Sequence, residues 1–173
     1  SYDILREGGS YYEAYMIKYA GTDKTNGKAL YYQEVTDDAG NKSIVTTDDI
    51  TKATQFDLGS TLAKVYGGFG TTLKGFGFDL SASFSFQLGG KIYDGQYQAL
   101  MHNGISAGNA MHKDLLKAWS PENPNSDIPR LSTASTDDPG IGSQTPMDRF
   151  LTSSNYLSLN NLTLGYTLPK SLT

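Results

Sequence analysis

Residues 76–89 alternate between apolar side chains and polar or small ones without a break. The apolar positions are Phe76, Phe78, Leu80, Ala82, Phe84, Phe86 and Leu88. Because the side chains of a β-strand point alternately to its two faces, this pattern predicts a strand with one apolar and one polar face. At about 3.4 Å per residue the strand reaches roughly 40 Å, enough to cross a bilayer even when tilted by about 45°.

The two faces of this strand match the wall between lipid and a polar lumen in a transmembrane β-barrel. On that interpretation the residues that face lipid are Phe78, Leu80, Phe84, Phe86 and Leu88. The residues that line the lumen are Ser81, Ser83, Ser85 and Gln87. The alternative is a soluble sheet whose apolar face covers a core, and the neighbouring segments have to decide between the two.

A second alternating segment immediately precedes the long strand. Residues 65–73 place Val65, Phe69 and Leu73 on one face. The short turn Lys74-Gly75 then leads directly into the long strand. Two extended runs around a short glycine-containing turn predict an antiparallel hairpin.

Residues 156–168 form a third alternating segment. Its apolar positions are Leu157, Leu159, Leu162, Leu164, Tyr166 and Leu168. The parity of these positions changes at Asn160-Asn161, which predicts a β-bulge there. Pro169 is expected to end the strand.

Long segments separate these strands. Residues 1–62 contain strand-like runs at 11–19, 30–35 and 43–47, joined by turn-rich sequence. Residues 90–150 are polar and irregular. Within them we predict one helix over residues 109–119, with Asn109 as its cap and Met111, Leu115 and Trp119 on one face.

Outer-membrane barrels combine long extracellular loops with short periplasmic turns, and the order of segments in this chain has that form. We therefore expect residues 65–89 and 156–168 to span the membrane, and residues 1–62 and 90–152 to be extracellular. Lys74-Gly75 and Pro169-Lys170 would be the periplasmic turns.

The composition agrees with a β-rich chain and excludes several functions. Nineteen Gly and twelve Tyr among 173 residues, with 18% charged residues, are typical of strands and turns. A net charge of −4 without a Lys/Arg cluster argues against nucleic-acid binding. The lack of Cys excludes a disulfide scaffold and a cysteine zinc site. The chain starts at Ser1 without a signal peptide, so we expect it to be an internal piece of a longer protein.

Several motifs occur in series along the chain. They are YGGFG at 66–70, KGFGFDL at 74–80, LGGKIY at 88–93, WSPENPNSDIPR at 119–130, DRFL at 148–151 and YLSLNNLTLGYTLP at 156–169. Together they resemble the late, C-terminal-side barrel region of SusC/RagA-type TonB-dependent transporters. The resemblance implies an all-β fold: an antiparallel segment of a 22-stranded barrel with long extracellular loops, one of them carrying a short helix. Such a segment is not a self-contained domain.

The resemblance also implies a function. The expected protein is an integral outer-membrane importer of oligosaccharides or peptides, in contact with outer-membrane lipid and covered by a SusD-like surface lipoprotein. TonB would act through a plug and a box that this segment lacks. The alternatives are a soluble secreted β-sandwich that binds glycans and a structural surface protein without a transport role.

No arrangement of reactive side chains in the sequence indicates an enzyme, a metal site or a cofactor. His102 and His112, even with Asp114, lack the spacing of metal ligands and are interpreted as surface histidines. The acidic pairs at 37–38, 48–49 and 137–138 lack the pattern of a calcium loop and are interpreted as turns. Glu122 and Asp127 have no readable geometry for a glycosidase pair.

The tyrosines of the first segment allow two interpretations. They are Tyr11, Tyr12, Tyr15, Tyr19, Tyr31 and Tyr32. Such rings either stack on sugars or a partner, or pack across hairpin strands, and the second role is favoured because aromatic cross-strand pairs routinely stabilise hairpins.

Overall fold

The computed structural model describes residues 3–106, 108–132 and 145–168. The chain divides into two compact units, and it passes between them three times. Unit 1 comprises Ser1–Ser60 and Tyr93–Thr152, and unit 2 comprises Thr61–Ile92 and Ser153–Thr173. Within the described residues the structure is mainly antiparallel β-sheet, which confirms the predicted all-β class.

Unit 1 holds two three-stranded sheets and short helical turns. Its first strands are β1 (Asp3–Ile4), β2 (Glu13–Ile17), β3 (Tyr19–Thr22), β4 (Ala29–Thr36), β5 (Lys42–Thr47) and β6 (Gln55–Ser60). One sheet has the order β1-β2-β6 and the other β3-β4-β5. The strands predicted at 30–35 and 43–47 correspond to β4 and β5, whereas the run at 11–19 is divided between β2 and β3.

Most helical pieces of unit 1 lie in its second segment, Tyr93–Thr152. They are α1 (Gly95–Leu100) and 3-10 turns at Lys113–Lys117 and Asp148–Phe150, and a further 3-10 turn, Ile50–Lys52, follows β5. The helix predicted over residues 109–119 is wrong, since only a 3-10 turn forms there. Met111 is 52% exposed and Leu115 is buried, so the two do not share one packed helical face. Asp94 caps α1 by accepting a hydrogen bond from the Tyr97 N–H at 2.8 Å.

Unit 1 has its own core, and its two segments both contribute to it. Ile17, Ala29 and Tyr31 come from the first segment. The second segment supplies Met101, Leu115, Ile128, Met147 and Phe150. The polar pattern of the second segment therefore did not predict that its widely spaced apolar residues pack against the β3–β4 hairpin, and its extracellular location stays a prediction.

Unit 2 is built on one antiparallel sheet of three long strands. β7 (Val65–Gly75) and β8 (Phe78–Leu88) form a hairpin, and β11 (Tyr156–Tyr166) pairs with the other edge of β8. Each of these strands has eleven residues. Two short strands, β9 (Lys91–Tyr93) and β10 (Leu151–Ser153), include residues of both units and form a separate two-stranded sheet.

The hairpin turn lies two residues later than predicted. Gly75 pairs with Phe78, so the connecting residues are Phe76 and Gly77, with φ of 53° and 83°. Two residues with positive φ are typical of the type I′ turn that suits the twist of a hairpin. Phe76 continues the alternating pattern, which is why the sequence placed it in the strand.

The predicted bulge in the third segment is confirmed. Leu159 pairs with Phe84 and Asn161 with the adjacent Ser83, so Asn160 is the extra residue of β11. The bulge restores a common parity, because Leu162 then pairs with Ala82.

Among the described residues no helix has the length and apolar character needed to cross a membrane.

Candidate functional site

The three strands of unit 2 align their apolar residues on one face of the sheet. Phe84 lies between Phe69 of β7 and Leu159 of β11. Four residues earlier in β8, Leu80 lies between Leu73 and Leu164. The remaining apolar members of this face are Val65, Phe78, Ala82, Phe86, Leu88, Leu157, Leu162 and Tyr166. We call this set the apolar face.

Most of the apolar face is exposed. The exposed fraction is 55% for Phe69, 61% for Leu73 and 70% for Leu164. Soluble monomers rarely expose contiguous apolar patches of more than a few hundred Å². A sheet of three eleven-residue strands with such a surface calls for an apolar medium or a partner to cover it.

Aromatic contacts between strands strengthen this sheet. The rings of Phe69 and Phe84 stack with centroids 5.0 Å apart, and those of Phe78 and Tyr166 are 4.5 Å apart. Cross-strand aromatic pairs of this kind contribute roughly 0.2–1 kcal/mol each relative to alanine pairs. The apolar face is thus ordered by its own side chains.

The opposite face of the sheet is polar and lined by small side chains. It carries Ser81, Ser83, Ser85 and Gln87 from β8. The hydroxyls of Thr72 and Ser81 are 3.3 Å apart, and Ser85 Oγ donates to Asn160 Oδ1 at 3.1 Å. The structure therefore separates the predicted lipid-facing residues from the predicted lumen-facing ones, while the medium that each face contacts stays a prediction.

Both outer edges of this sheet are open. In the part of the chain that the structure describes, the outer edge of β7 and that of β11 pair with no other strand. Open edges of long strands present a row of unpaired N–H and C=O groups, which natural proteins cover or pair.

In unit 1, Trp119 connects the second segment, Tyr93–Thr152, to the turn between β3 and β4. Its backbone N–H donates to Ile128 O at 2.8 Å, and its indole Nε1 donates to Lys24 O at 3.2 Å. A Cβ on Gly27 would come within 2.5 Å of Trp119 Cε3. The indole therefore packs directly on the glycine backbone.

A second set of contacts between the two segments of unit 1 is centred on Arg149, whose side chain is 11% exposed. Its guanidinium lies 4.6 Å from the centre of the Tyr19 ring, and Nη1 donates to Asp127 O at 2.5 Å. The Tyr19 hydroxyl donates to the same carbonyl at 2.9 Å, and the Tyr19 N–H donates to Asp148 Oδ1 at 2.8 Å. Burial raises the pKa of Tyr19 to about 12 and also raises the pKa of Asp148.

The interpretation of both histidines as surface residues is wrong for His102, which is 5% exposed. Its Nδ1 accepts hydrogen bonds from the N–H groups of Gly104 and Ser106 at 3.2 and 3.3 Å. His112 is partly exposed, packs edge-on against Tyr97, and caps the following turn by accepting from the Asp114 N–H at 3.2 Å. Within the described residues, no group of three or more His, Cys, Asp or Glu is arranged to hold a metal ion.

The acidic residues of unit 1 shape turns, as predicted for 37–38 and 48–49. Hydrogen bonds from the Asn41 side chain and backbone lower the pKa of Asp37, and those from Thr51 lower the pKa of Asp49. The pair at 137–138 lies outside the described residues. Asp127 Oδ2 lies 3.6 Å from Arg149 Nη1, so this carboxylate forms an ion pair with the arginine that packs on Tyr19.

The tyrosines divide between packing and exposure. Tyr31 is fully buried, and its ring packs edge-on against Tyr19 with centroids 6.4 Å apart. This pair has the hairpin packing role that the sequence favoured. Tyr11 and Tyr12 are 68% and 47% exposed and contact each other edge-on.

The chain is similar to known transport proteins. It is 30% identical over 175 residues to TonB-dependent receptor P3 of Formosa agariphila, an alignment that covers 97% of this chain. It also superposes on a structure of the RagAB peptide transporter with a TM-score of 0.72, at 30% identity over 98% of this chain. The chain belongs to the SusC/RagA family of TonB-dependent receptors.

This SusC/RagA segment spans a small part of its relatives. It covers 16% of the length of receptor P3 and 18% of the RagAB chain. The RagAB peptide importer in its closed-closed and open-open states matches with TM-scores of 0.69 and 0.65, both at 29% identity and 98% of this chain. No family model matches the chain.

In this SusC/RagA segment the residues that hold unit 1 together were missed by reasoning from composition and spacing. Arg149 has no periodic neighbours that would mark it, and Trp119 was assigned to one face of a helix that does not form. They nevertheless lie in the DRFL and WSPENPNSDIPR motifs, which were recognised only as family signatures. The adjacent charges of Asp148 and Arg149 were an available signal for Arg149.

Proposed function

We propose that this segment forms part of the barrel wall and of the surface loops of an outer-membrane, TonB-dependent nutrient importer. The observation that carries the proposal is the sheet of unit 2, with its exposed apolar face, its polar opposite face and its two open edges. Barrel strands alternate between lipid and lumen in this way. The similarity to TonB-dependent receptors supports the same conclusion.

In the proposed arrangement the segment lies on the C-terminal side of a 22-stranded barrel. Residues 65–89 and 156–168 span the membrane, and residues 1–62 and 90–152 lie on the extracellular side. Lipid contacts are made by Phe78, Leu80, Phe84, Phe86 and Leu88. Ser81, Ser83, Ser85 and Gln87 line the lumen.

The proposed cargo is a peptide, with an oligosaccharide as the other outcome of an uptake assay. Peptide is the choice because the solved relatives are peptide transporters. A SusD-like surface lipoprotein would cover the extracellular side, and TonB would supply energy through a plug outside this segment. The segment itself carries no chemistry in this scheme, so its contribution is shape and surface.

The test compares two neighbouring residues of β8 in the full-length parent. Phe84→Arg places a charge on the proposed lipid face, where it costs about 2–4 kcal/mol near the bilayer midplane. Ser83→Arg places the same charge on the proposed lumen face, where little cost is expected. The amount of folded protein in the detergent-extracted outer-membrane fraction should fall for Phe84→Arg only. Equal amounts for both variants, or a parent found in the soluble fraction, would refute the proposal.

A soluble glycan-binding sandwich is not favoured. A sandwich needs a second sheet with a comparable apolar face packed on the first. In the described part of unit 2 there is one three-stranded sheet, and its apolar residues are exposed.

A further inference from the structure

Unit 1 contains two Asn-Gly pairs, Asn26-Gly27 and Asn103-Gly104. Both lie in turns that contact the same stretch of the second segment, residues 129–132. Gly27 O accepts a hydrogen bond from the Arg130 N–H at 2.9 Å, and Asn103 O accepts one from the Ser132 N–H at 2.8 Å. The two turns thus hold one stretch of chain in place, and the asparagine of the second turn is buried there.

The side chain of Asn103 holds its turn against this stretch. Nδ2 donates to Pro129 O at 2.8 Å and to Arg130 O at 3.0 Å. The two bonds use both amide hydrogens, so the hydrogen-bond network fixes the orientation of the amide. A side chain with two N–H donors is therefore required at this position.

The backbone of the turn requires the glycine that follows. φ is +53° at Asn103 and +91° at Gly104, a left-handed conformation that asparagine tolerates and glycine adopts freely. A Cβ on Gly104 would lie 2.7 Å from Ser132 O. Packing therefore selects asparagine followed by glycine, and the chemical lability of that pair comes with it.

An Asn-Gly pair deamidates without an enzyme. The backbone nitrogen of the glycine attacks Cγ of the asparagine, the new N–Cγ bond forms as the Cγ–Nδ2 bond breaks, and the proton of the nitrogen leaves with the ammonia. Water then opens the resulting succinimide to aspartate or isoaspartate. Glycine favours the attack because it has no side chain to hinder its nitrogen, and asparagine is among the residues that are thermolabile for such reasons.

The folded turn opposes each requirement of this reaction. The Gly104 N–H is engaged by His102 Nδ1 at 3.2 Å. Asn103 Oδ1, which gains negative charge during the attack, has no hydrogen-bond partner among the described residues, and burial keeps water away from it. At Asn26, by contrast, the side chain is exposed and Oδ1 accepts from the Lys28 N–H at 2.9 Å.

We propose that Asn103-Gly104 is a deamidation site that reacts only while its turn is open, and that the reaction prevents the turn from closing again. An aspartate product has no amide hydrogens, so its carboxylate would face the carbonyl oxygens of Pro129 and Arg130. An isoaspartate product would also insert a CH₂ group into the backbone next to Gly104, which already lies against Ser132 O. Deamidation at this site therefore records local opening of the contact between the two segments of unit 1.

The experiment incubates the full-length receptor in detergent at mildly alkaline pH, once folded and once unfolded in guanidinium chloride, and follows both pairs by peptide mass spectrometry. Conversion of Asn103 should be about tenfold slower or more in the folded receptor, because only the open fraction reacts. His102→Ala frees the Gly104 N–H, so it should speed conversion of Asn103 in the folded receptor and leave that of Asn26 unchanged. The matched control is His112→Ala, which changes the histidine that caps the following 3-10 turn and should alter neither rate.

The consequence of the reaction is tested with Asn103→Asp. This change should remove the hydrogen-exchange protection of the Ser132 N–H, whereas Asn125→Asp, at an exposed position of the same segment, should not. Three results would overturn the assignment: equal conversion of Asn103 in the folded and the unfolded receptor, no local acceleration by His102→Ala, or retained protection of Ser132 in Asn103→Asp.

Discussion

At the scale of single residues, Gly27 decides how closely the turn after β3 approaches the second segment. Its φ is +73°, and a Cβ would meet Trp119 at 2.5 Å and Arg130 Cβ at 2.9 Å. Only glycine satisfies both the left-handed backbone and the contact. The contact between the β3–β4 turn and Trp119 therefore requires that residue 27 has no side chain.

Gly27→Ala should therefore destabilise unit 1 more than the same change at Gly40. Gly40 has a similar φ of +85° with nothing within 4 Å, so alanine there costs about 1 kcal/mol of backbone strain. At Gly27 the steric conflict should add about 1–3 kcal/mol. Hydrogen exchange of residues 119–130 in the parent protein measures the difference, and equal protection in the two variants would contradict it.

Tyr19 gives unit 1 a dependence on alkaline pH. Burial raises its pKa to about 12, against 10.0 for an ordinary tyrosine, so the folded state retains the phenol proton that the unfolded chain loses. The stabilisation is complete below pH 10 and is lost between pH 10 and about 12. The sign follows because deprotonation favours the unfolded chain in that interval.

We expect the absorbance at 295 nm that is lost in Tyr19→Phe to titrate near pH 12 in the folded parent. The thermal stability of the unmodified protein should fall more steeply than that of Tyr19→Phe as the pH rises from 10 to 12. A difference titration centred near pH 10 would show that the hydroxyl is not shielded as its bond to Asp127 indicates.

At the scale of elements, the bulge at Asn160 keeps β11 two-sided. Without it, Leu157 and Leu159 would turn to the polar face whenever Leu162 and Leu164 stay on the apolar one. A one-residue slip moves every following side chain to the other face. The extra residue Asn160 therefore allows the leucines before it and after it to lie on the same face of the sheet.

Deletion of Asn160 should prevent the parent from folding into the outer membrane, whereas Asn160→Ser should be tolerated. The substitution keeps the number of residues and removes only the side chain that accepts from Ser85 at 3.1 Å. The assay is the shift between folded and heat-denatured bands of membrane fractions on a gel. A folded band of normal intensity for the deletion would refute the role of the bulge.

The elements also show what a sequence can predict. Period-two alternation located β7, β8 and β11, and the parity change located the bulge, because each depends only on neighbouring residues. The turn was misplaced because Phe76 obeys the alternation while its backbone has φ of 53°. The short helix α1 begins with glycine and depends on the Asp94 cap, so its pattern is too brief to recognise.

The core of unit 1 and the contacts of Arg149 could not be predicted from the sequence, for a different reason. Phe150 and Tyr31 are both buried in one cluster but lie more than a hundred positions apart. The same holds for Arg149 and Tyr19. Burial of His102 likewise follows from tertiary packing, and a polar stretch of sequence gives no sign of it.

At the scale of the whole chain, the two units alternate along the sequence. The boundaries at residues 60–61, 92–93 and 152–153 fall within a few positions of the predicted ends of the spanning segments. Unit 2 carries the exposed apolar face, and unit 1 has a buried core of its own. The medium that each unit contacts and the side of the membrane for each segment stay predictions.

That prediction can be tested with single cysteines, because the segment contains none. Ile44, 60% exposed on β5, represents the proposed extracellular side, and Phe76, fully exposed in the β7–β8 turn, represents the proposed periplasmic side. In intact cells a membrane-impermeant maleimide should label Ile44→Cys at once and Phe76→Cys only after the outer membrane is permeabilised. The unsubstituted parent gives the background. Labelling of Phe76→Cys in intact cells, with Ile44→Cys protected, would show the opposite orientation. Labelling of both variants in intact cells would contradict their location on opposite sides of the outer membrane.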